Sequence, residues 1–339
     1  MGCSKKNTKS CSKDEICEKI LIYYFQIRKL FTSSQFFLIM IRVAAIQISP
    51  VFLDAKKTWE KLKEKIIEAK ADGADLVTWG ETLIPGYPQW ISPSGGAKFN
   101  NPQQKKAYAK YWQEALHLEE SKIVEDMKAT AKKQKLMFMG GIAEKYSGTT
   151  YCTLLTIGPK GEILGRHRKI KPTFEERLVW ADGDRLGMKT YKLKDVKVGG
   201  LNCWENWLPL ARAALHLQEE MLHIAVWPGG IGLTKDITRF IALEGRSWVV
   251  SVSGMLKPED FSHLDESEFP MKKVMEEHKG FWQNGGSMIV NPKGETIAGP
   301  LVEEEGILYA DIDPMLVVEE RQNLDISGHY SRFDLFNKP

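Results

Sequence analysis

Val196-Lys197-Val198-Gly199-Gly200-Leu201-Asn202 runs directly into Cys203-Trp204-Glu205-Asn206-Trp207-Leu208-Pro209. The first seven residues read as a buried strand, and a helical pattern follows from about Pro209 to Glu219. A second unit of the same kind comes next, with strand residues 222–227, helix residues 236–246 and strand residues 248–252. Strands that alternate with helices in this way build sheets covered by helices, an α/β fold.

Working upstream, the alternation continues. Ile41-Arg42-Val43-Ala44-Ala45-Ile46-Gln47-Ile48 is a buried-strand pattern. Asp54 is placed to cap a helix that puts Trp59, Leu62, Ile66 and Ala69 on one face, and Gly73 to end it. Residues 75–79 predict a short buried strand, 103–134 a polar helical stretch and 136–139 another strand. Residues 150–157 and 162–165 predict a hairpin around Gly158-Pro159-Lys160-Gly161. Downstream, strand patterns return at 286–290 and 306–312. No repeat, low-complexity linker or charge block interrupts the chain after Met40, so residues 40–339 are expected to form one α/β domain.

Residues 1–39 read differently. Their apolar stretch is broken by Arg28 and Lys29, and no small-residue cleavage site follows, unlike a secretory signal. A membrane span needs about 20 apolar residues in a row, and none occurs. Lys6 stands where myristoylation of Gly2 would call for Ser or Thr. The segment is expected to be an N-terminal extension, disordered or not native, with Met40 as a natural start.

The 339 residues are 43% hydrophobic and 27% charged, as in globular proteins. With 47 basic against 44 acidic residues the net charge is +3, which gives no reason to expect nucleic acid or a membrane as partner. Cys3, Cys11, Cys17, Cys152 and Cys203 have no regular spacing. That argues against a disulfide framework and for a reducing, cytoplasmic setting. No cysteine–histidine cluster suggests a metal.

Four polar side chains fall at strand ends or in adjoining loops. Glu81 follows Trp79-Gly80, and Lys169 lies in Arg168-Lys169-Ile170-Lys171-Pro172-Thr173. Glu176 comes seven positions later, and Cys203 ends the glycine-containing strand. A thiol at a strand-to-helix turn lies near backbone N–H groups that lower its pKa and hold developing negative charge. Each residue also has an ordinary reading taken singly. Cys203 suits an inert buried cysteine, Glu81 a surface carboxylate, Lys169 and Lys171 solvated charges, and Glu176 a partner for Arg177.

Together with their flanking words, these residues resemble the nitrilase branch of the carbon–nitrogen hydrolase superfamily. The likeness runs from about Met40 to the end of the chain. It takes in Ala45-Ile46-Gln47, the words around Glu81, Lys169 and Cys203, and Ser327-Gly328-His329-Tyr330-Ser331-Arg332. Cys203-Trp204-Glu205-Asn206 with Pro209 is its most specific part, and resembles nitrilases more than amidases or carbamoylases.

The resemblance implies a four-layer αββα sandwich whose subunits pair across helices into dimers or larger assemblies, spirals among them. It implies Glu81 as general base, Lys169 as cationic stabiliser, Cys203 as nucleophile and Glu176 as supporting carboxylate. Lys171 competes with Lys169, but the family pattern places the catalytic lysine directly after the arginine. The implied reaction converts a small organic nitrile to carboxylic acid and ammonia through a Cys203 thioimidate and thioester, with no cofactor. Tyr87, Trp90, Trp180, Trp204 and Trp227 are candidates for an apolar substrate pocket, though core packing explains such residues equally well.

Three places depart from the family's usual wording: Trp79-Gly80, Cys152 and Arg185. None is expected to touch the four proposed groups. An amidase or a cyanide-degrading enzyme would use the same residues. A papain-like protease would need a histidine motif that the sequence lacks, and four intact catalytic side chains speak against an inert scaffold.

Overall fold

Along β1 (Ile41–Gln47), Val43 and Ala45 face one hydrophobic core while Ala44 and Ile46 face another. A strand exposes successive side chains to opposite faces, so this sheet must be covered on both sides. The computed structural model describes residues 39–335. The segment 1–38, with Cys3, Cys11 and Cys17, lies outside the described residues, as does 336–339.

After β1 come α1 (Ala55–Ala71), β2 (Leu76–Ile84), α2 (Pro102–Glu114), α3 (Lys122–Gln134), β3 (Met137–Tyr146), β4 (Thr149–Ile157) and β5 (Ile163–Arg168). The second half holds β6 (Tyr191–Leu193), β7 (Val196–Asn202), α4 (Pro209–His216), β8 (Leu222–Trp227), α5 (Ile231–Gly245), β9 (Trp248–Ser253) and β10 (Met255–Leu256). It closes with α6 (Lys272–Glu276), β11 (Gln283–Val290), β12 (Thr296–Val302), β13 (Gly306–Ile312) and α7 (Pro314–Arg321). One sheet has the order β13-β1-β2-β3-β4-β5, the other β10-β11-β9-β8-β7-β6 with β12 beside β11.

The two sheets meet through Val43, Met139 and Leu154 on one side and Val198, Ile224 and Val250 on the other. Trp59, Leu62 and Ile66 of α1, with Val124 and Met127 of α3, cover the outer face of the first sheet. Ile237 and Ile241 of α5 cover the second, against Ala225, Trp227 and Val249. The result is the expected four-layer αββα sandwich.

Local signals explain most element ends. The Asp54 side chain accepts from the Lys57 N–H at 2.9 Å, as an N-cap should. The helical stretch 103–134 divides in two, because the Leu116 N–H leaves the helix to donate to Ala143 O of β3 at 2.8 Å. Ser121 then caps α3. Strand β2 runs past Trp79 through Glu81 to Ile84, further than its apolar run suggested. The C-terminal helix α7, capped by Asp313, carries no strong pattern in the sequence.

Ile224 is fully buried between the sheets. Replacing it with alanine is expected to lower stability by about 2–5 kcal/mol, read as a shift in the urea midpoint. A loss under about 1 kcal/mol would mean the sheets are less tightly packed at this point than their contacts imply.

Candidate active site

Lys169 and Cys203 directly follow the carboxyl ends of β5 and β7, and Glu81 lies in the last half of β2, the edge where open α/β sheets place their sites. The β2–β3 pairing slips between Trp79 and Ile84, which carries Glu81 inward. Gly141 of β3 permits this: a Cβ there would lie 2.4 Å from Thr82 N and 2.5 Å from Glu81 Cα. Thr82 itself is held at φ 44°.

Lys169 is fixed from both ends. Its N–H donates to Cys152 O at 2.8 Å. Its Nζ donates to Glu81 Oε1 at 2.9 Å and to Glu176 Oε2 at 2.7 Å. Glu176 sits in a short 3-10 turn, Phe174–Leu178, and also accepts the Thr173 N–H at 2.6 Å and the Tyr87 hydroxyl at 2.8 Å. Burial alone would strip the proton from a lysine. Here Cys203, Glu81 and Glu176 outweigh burial and hold the Lys169 ammonium well above the usual lysine range. Lys171, the competing lysine, is exposed and pairs with Asp182 on the surface.

Cys203 opens the turn Cys203–Trp207 with φ 43°, in the left-handed region that L-residues seldom occupy. Glu205 locks that turn. It accepts the Asn202 N–H at 2.9 Å and the Ile170 N–H, and its Oε2 lies 2.9 Å from His167 Nε2. Burial works against charge on Glu205, but His167 and these N–H groups hold its pKa below the usual value. The Cys203 sulfur and one oxygen each of Glu81 and Glu176 lie within 4.8 Å of one another. Such a donor set would also suit a metal, but the Lys169 ammonium already bonds both carboxylates and supplies the neutralising charge.

The turn was expected to lower the Cys203 pKa. Instead burial pushes the thiol well above its usual value, with Glu81 adding to the effect and Lys169 and the Trp204 N–H only partly opposing it. The sulfur therefore rests as a thiol and depends on a base. Glu81 is suited to that role: burial raises its carboxyl to about 7, against the pull of Lys169.

The family model for carbon–nitrogen hydrolases matches residues 42–322. An aliphatic nitrilase from Rhodococcus rhodochrous is 35% identical, covering 87% of this chain and 81% of its own length. Nitrilase 1 of Arabidopsis thaliana is 33% identical, covering 88% of this chain and 86% of its own. This chain belongs to the carbon–nitrogen hydrolase family. Its place is in the nitrilase branch. The fold agrees with a carbon–nitrogen hydrolase from Helicobacter pylori G27, at TM-score 0.66 and 21% identity over 88% of this chain and 98% of that one. A branch 10 member of the nitrilase superfamily from Saccharomyces cerevisiae also has TM-score 0.66, at 19% identity over 86% and 97% of the two chains.

Within this carbon–nitrogen hydrolase, the aromatic candidates fall in different places. Tyr87 bonds Glu176 and packs edge-on to Trp180, whose ring centre lies 5.7 Å from Lys169 Nζ. Trp227 packs in the same cluster as Cys203. Trp90 instead packs among Phe52, Tyr111 and Phe269, so core packing accounts for it. Trp204 is 45% exposed beside Trp207, and what it lends the nucleophile is its backbone N–H.

One expectation is corrected outright. Cys152 does touch the four proposed groups, its thiol donating to Glu81 Oε1 at 3.2 Å. No residue read singly in the sequence pointed to a polar ring behind Cys203. Asn206 donates to Cys203 O at 2.8 Å, and its Oδ1 lies 2.8 Å from His223 Nε2. His223 Nδ1 lies 2.9 Å from Glu220, and Arg212 donates to Asn206 O at 2.7 Å. Burial opposes charge on Glu244, but His216 and Arg212 outweigh it and hold its carboxyl down to about 2. Asn206 lies in the word that carried the family resemblance, so the word itself was the signal.

Because Glu81 must be ionised to accept a proton, kcat/KM is expected to rise with pH through about 7 and to fall on the acid side. A pH–rate profile that stays flat through the weakly acidic range would remove Glu81 as the base.

Proposed function

We propose that this enzyme hydrolyses organic nitriles to carboxylic acids and ammonia, with Glu81, Lys169, Glu176 and Cys203 as its working groups. The observation that carries the reading is a lysine bonded at once to Glu81 and Glu176, with the Cys203 thiol beside them. Glu81 takes the thiol proton, the sulfur adds to the nitrile carbon, and the proton passes from Glu81 to the nitrile nitrogen to give a thioimidate and free the carboxylate again. Water activated by Glu81 adds to that intermediate, ammonia leaves, and a thioester remains. A second water releases the acid and returns the thiol, so one nitrile consumes two waters. Lys169 and the Trp204 N–H stabilise the charge that builds on nitrogen and then on oxygen. Glu176, tied to Lys169, Thr173 and Tyr87, keeps the ammonium in register.

The test is release of ammonia and carboxylate from aliphatic, aromatic and arylacetonitriles, with the matching amides alongside. Acid formed from a nitrile, and lowered by roughly 10⁴-fold or more in Cys203→Ala, is the expected result. Turnover of amides alone would assign the same residues to an amidase.

The reading extends to assembly and setting. Trp207, Leu208 and Leu210 are exposed on the turn and on α4, and Leu210 is 85% exposed. Arg212 of the same helix lies 5.4 Å from the ring of exposed Phe240 on α5. An apolar surface of this kind supports pairing of subunits across helices. Leu210→Glu is expected to lower the mass measured by light scattering to that of a smaller species. An unchanged mass would place the interface elsewhere. The two free thiols among the described residues, Cys152 and Cys203, suit a reducing, cytoplasmic compartment.

A further inference from the structure

We propose that Cys152 is a positioning residue, whose thiol holds one oxygen of Glu81 so that the other remains free to take the Cys203 proton. The inference rests on Glu81 as base and Cys203 as nucleophile. Oε1 of Glu81 accepts from both Lys169 Nζ, at 2.9 Å, and Cys152 Sγ, at 3.2 Å. Oε2 is buried and has no hydrogen-bond partner among the described residues. Such an unpaired buried oxygen is unfavourable unless function uses it, and proton acceptance is such a use.

Lys169 alone would not keep the carboxylate in this orientation. The terminal torsion of a glutamate is broad, so a single donor lets the two oxygens exchange or share the lysine. A second donor on the same oxygen removes that freedom. Cys152 is well placed to be that donor. It lies on β4 opposite Ala143 of β3, and its own carbonyl accepts the Lys169 N–H at 2.8 Å. One residue therefore anchors the backbone of the lysine and the head of the glutamate together.

The two thiols near Glu81 are not interchangeable. Cys203 stands at φ 43° on a turn, close to the Trp204 N–H that supports a sulfur anion. Cys152 lies fully buried within a strand, packed with Trp180 and Tyr111. Burial and the neighbouring Glu81 push its thiol well above the usual range, so it keeps its proton and acts as a donor.

The experiment compares wild type, Cys152→Ala and Cys152→Ser by the rate at which iodoacetamide alkylates Cys203, followed by peptide mass spectrometry across a pH series. The acid limb of kcat/KM is measured in parallel on whichever nitrile or amide is turned over. Losing the donor removes a bond that favours the ionised carboxylate, so the acid limb in Cys152→Ala should move to higher pH. Reaction on the acid side should slow by about tenfold, the worth of one buried hydrogen bond. Cys152→Ser, which keeps a donor, should restore both readouts. Thermal unfolding of each variant separates these effects from a loss of fold. The proposal is overturned if Cys152→Ala matches wild type in rate and pH dependence, or if alanine and serine slow the reaction alike with an unmoved acid limb. Absence of nitrile turnover in wild type would sink the proposed substrate only, because alkylation reads the sulfur and its base directly.

Discussion

A lysine ammonium shut away from water between two carboxylates is the constraint on which the rest of this structure depends. Buried charges are tolerated only when they are paired and hydrogen-bonded with good geometry. Each carboxylate must therefore arrive from its own direction and stay there. Glu81 arrives because β2 slips past Gly141, and Glu176 because a 3-10 turn folds it back onto Thr173. Lys169 arrives because β5 pairs with β4 and the Lys169 N–H, one residue beyond the strand, donates to Cys152 O. The two sheets form the frame that makes these approaches rigid.

Cys203 is supported in a different way. Its carbonyl, not its sulfur, is held by the amide of Asn206, and that amide is held in turn by His223. Glu205 pins the same turn to β5 through His167 and the Ile170 N–H. Backbone in the left-handed region costs about 1–3 kcal/mol per residue and persists only where its surroundings over-determine it. The ring around Asn206 and the clasp of Glu205 supply that determination on both sides of Cys203.

Much of this was legible in the sequence where the physics is local. The buried-strand pattern of Ile41–Ile48, the cap at Asp54 and the strand leading to Cys203 each depend on a few neighbouring residues. The four proposed groups were picked out through their flanking words, although no single one stood out, and the structure brings them together. What stayed hidden depends on register across strands. Whether Cys152 meets Glu81 is decided by how β4 pairs with β3 and β3 with β2, and the slip at Glu81 is invisible in a linear reading. The end of β2 was missed because Glu81 and Thr82 break its apolar run. The direction of the Cys203 pKa was missed for a related reason. The turn's N–H groups are local, whereas the burial that overrules them comes from the whole fold.

The charge count within the buried cluster also gives the enzyme a direction. Two carboxylates and one ammonium leave an excess of one negative charge beside a neutral thiol, and moving a proton from sulfur to Glu81 does not change that sum. A nitrile enters without charge and meets no opposition. The carboxylic acid that forms is already ionised at neutral pH, an anion beside a cluster that is negative whenever Glu81 is ionised. The chemistry thus turns an uncharged guest into an anion, and the excess charge that keeps the Cys203 thiol protonated also disfavours the product.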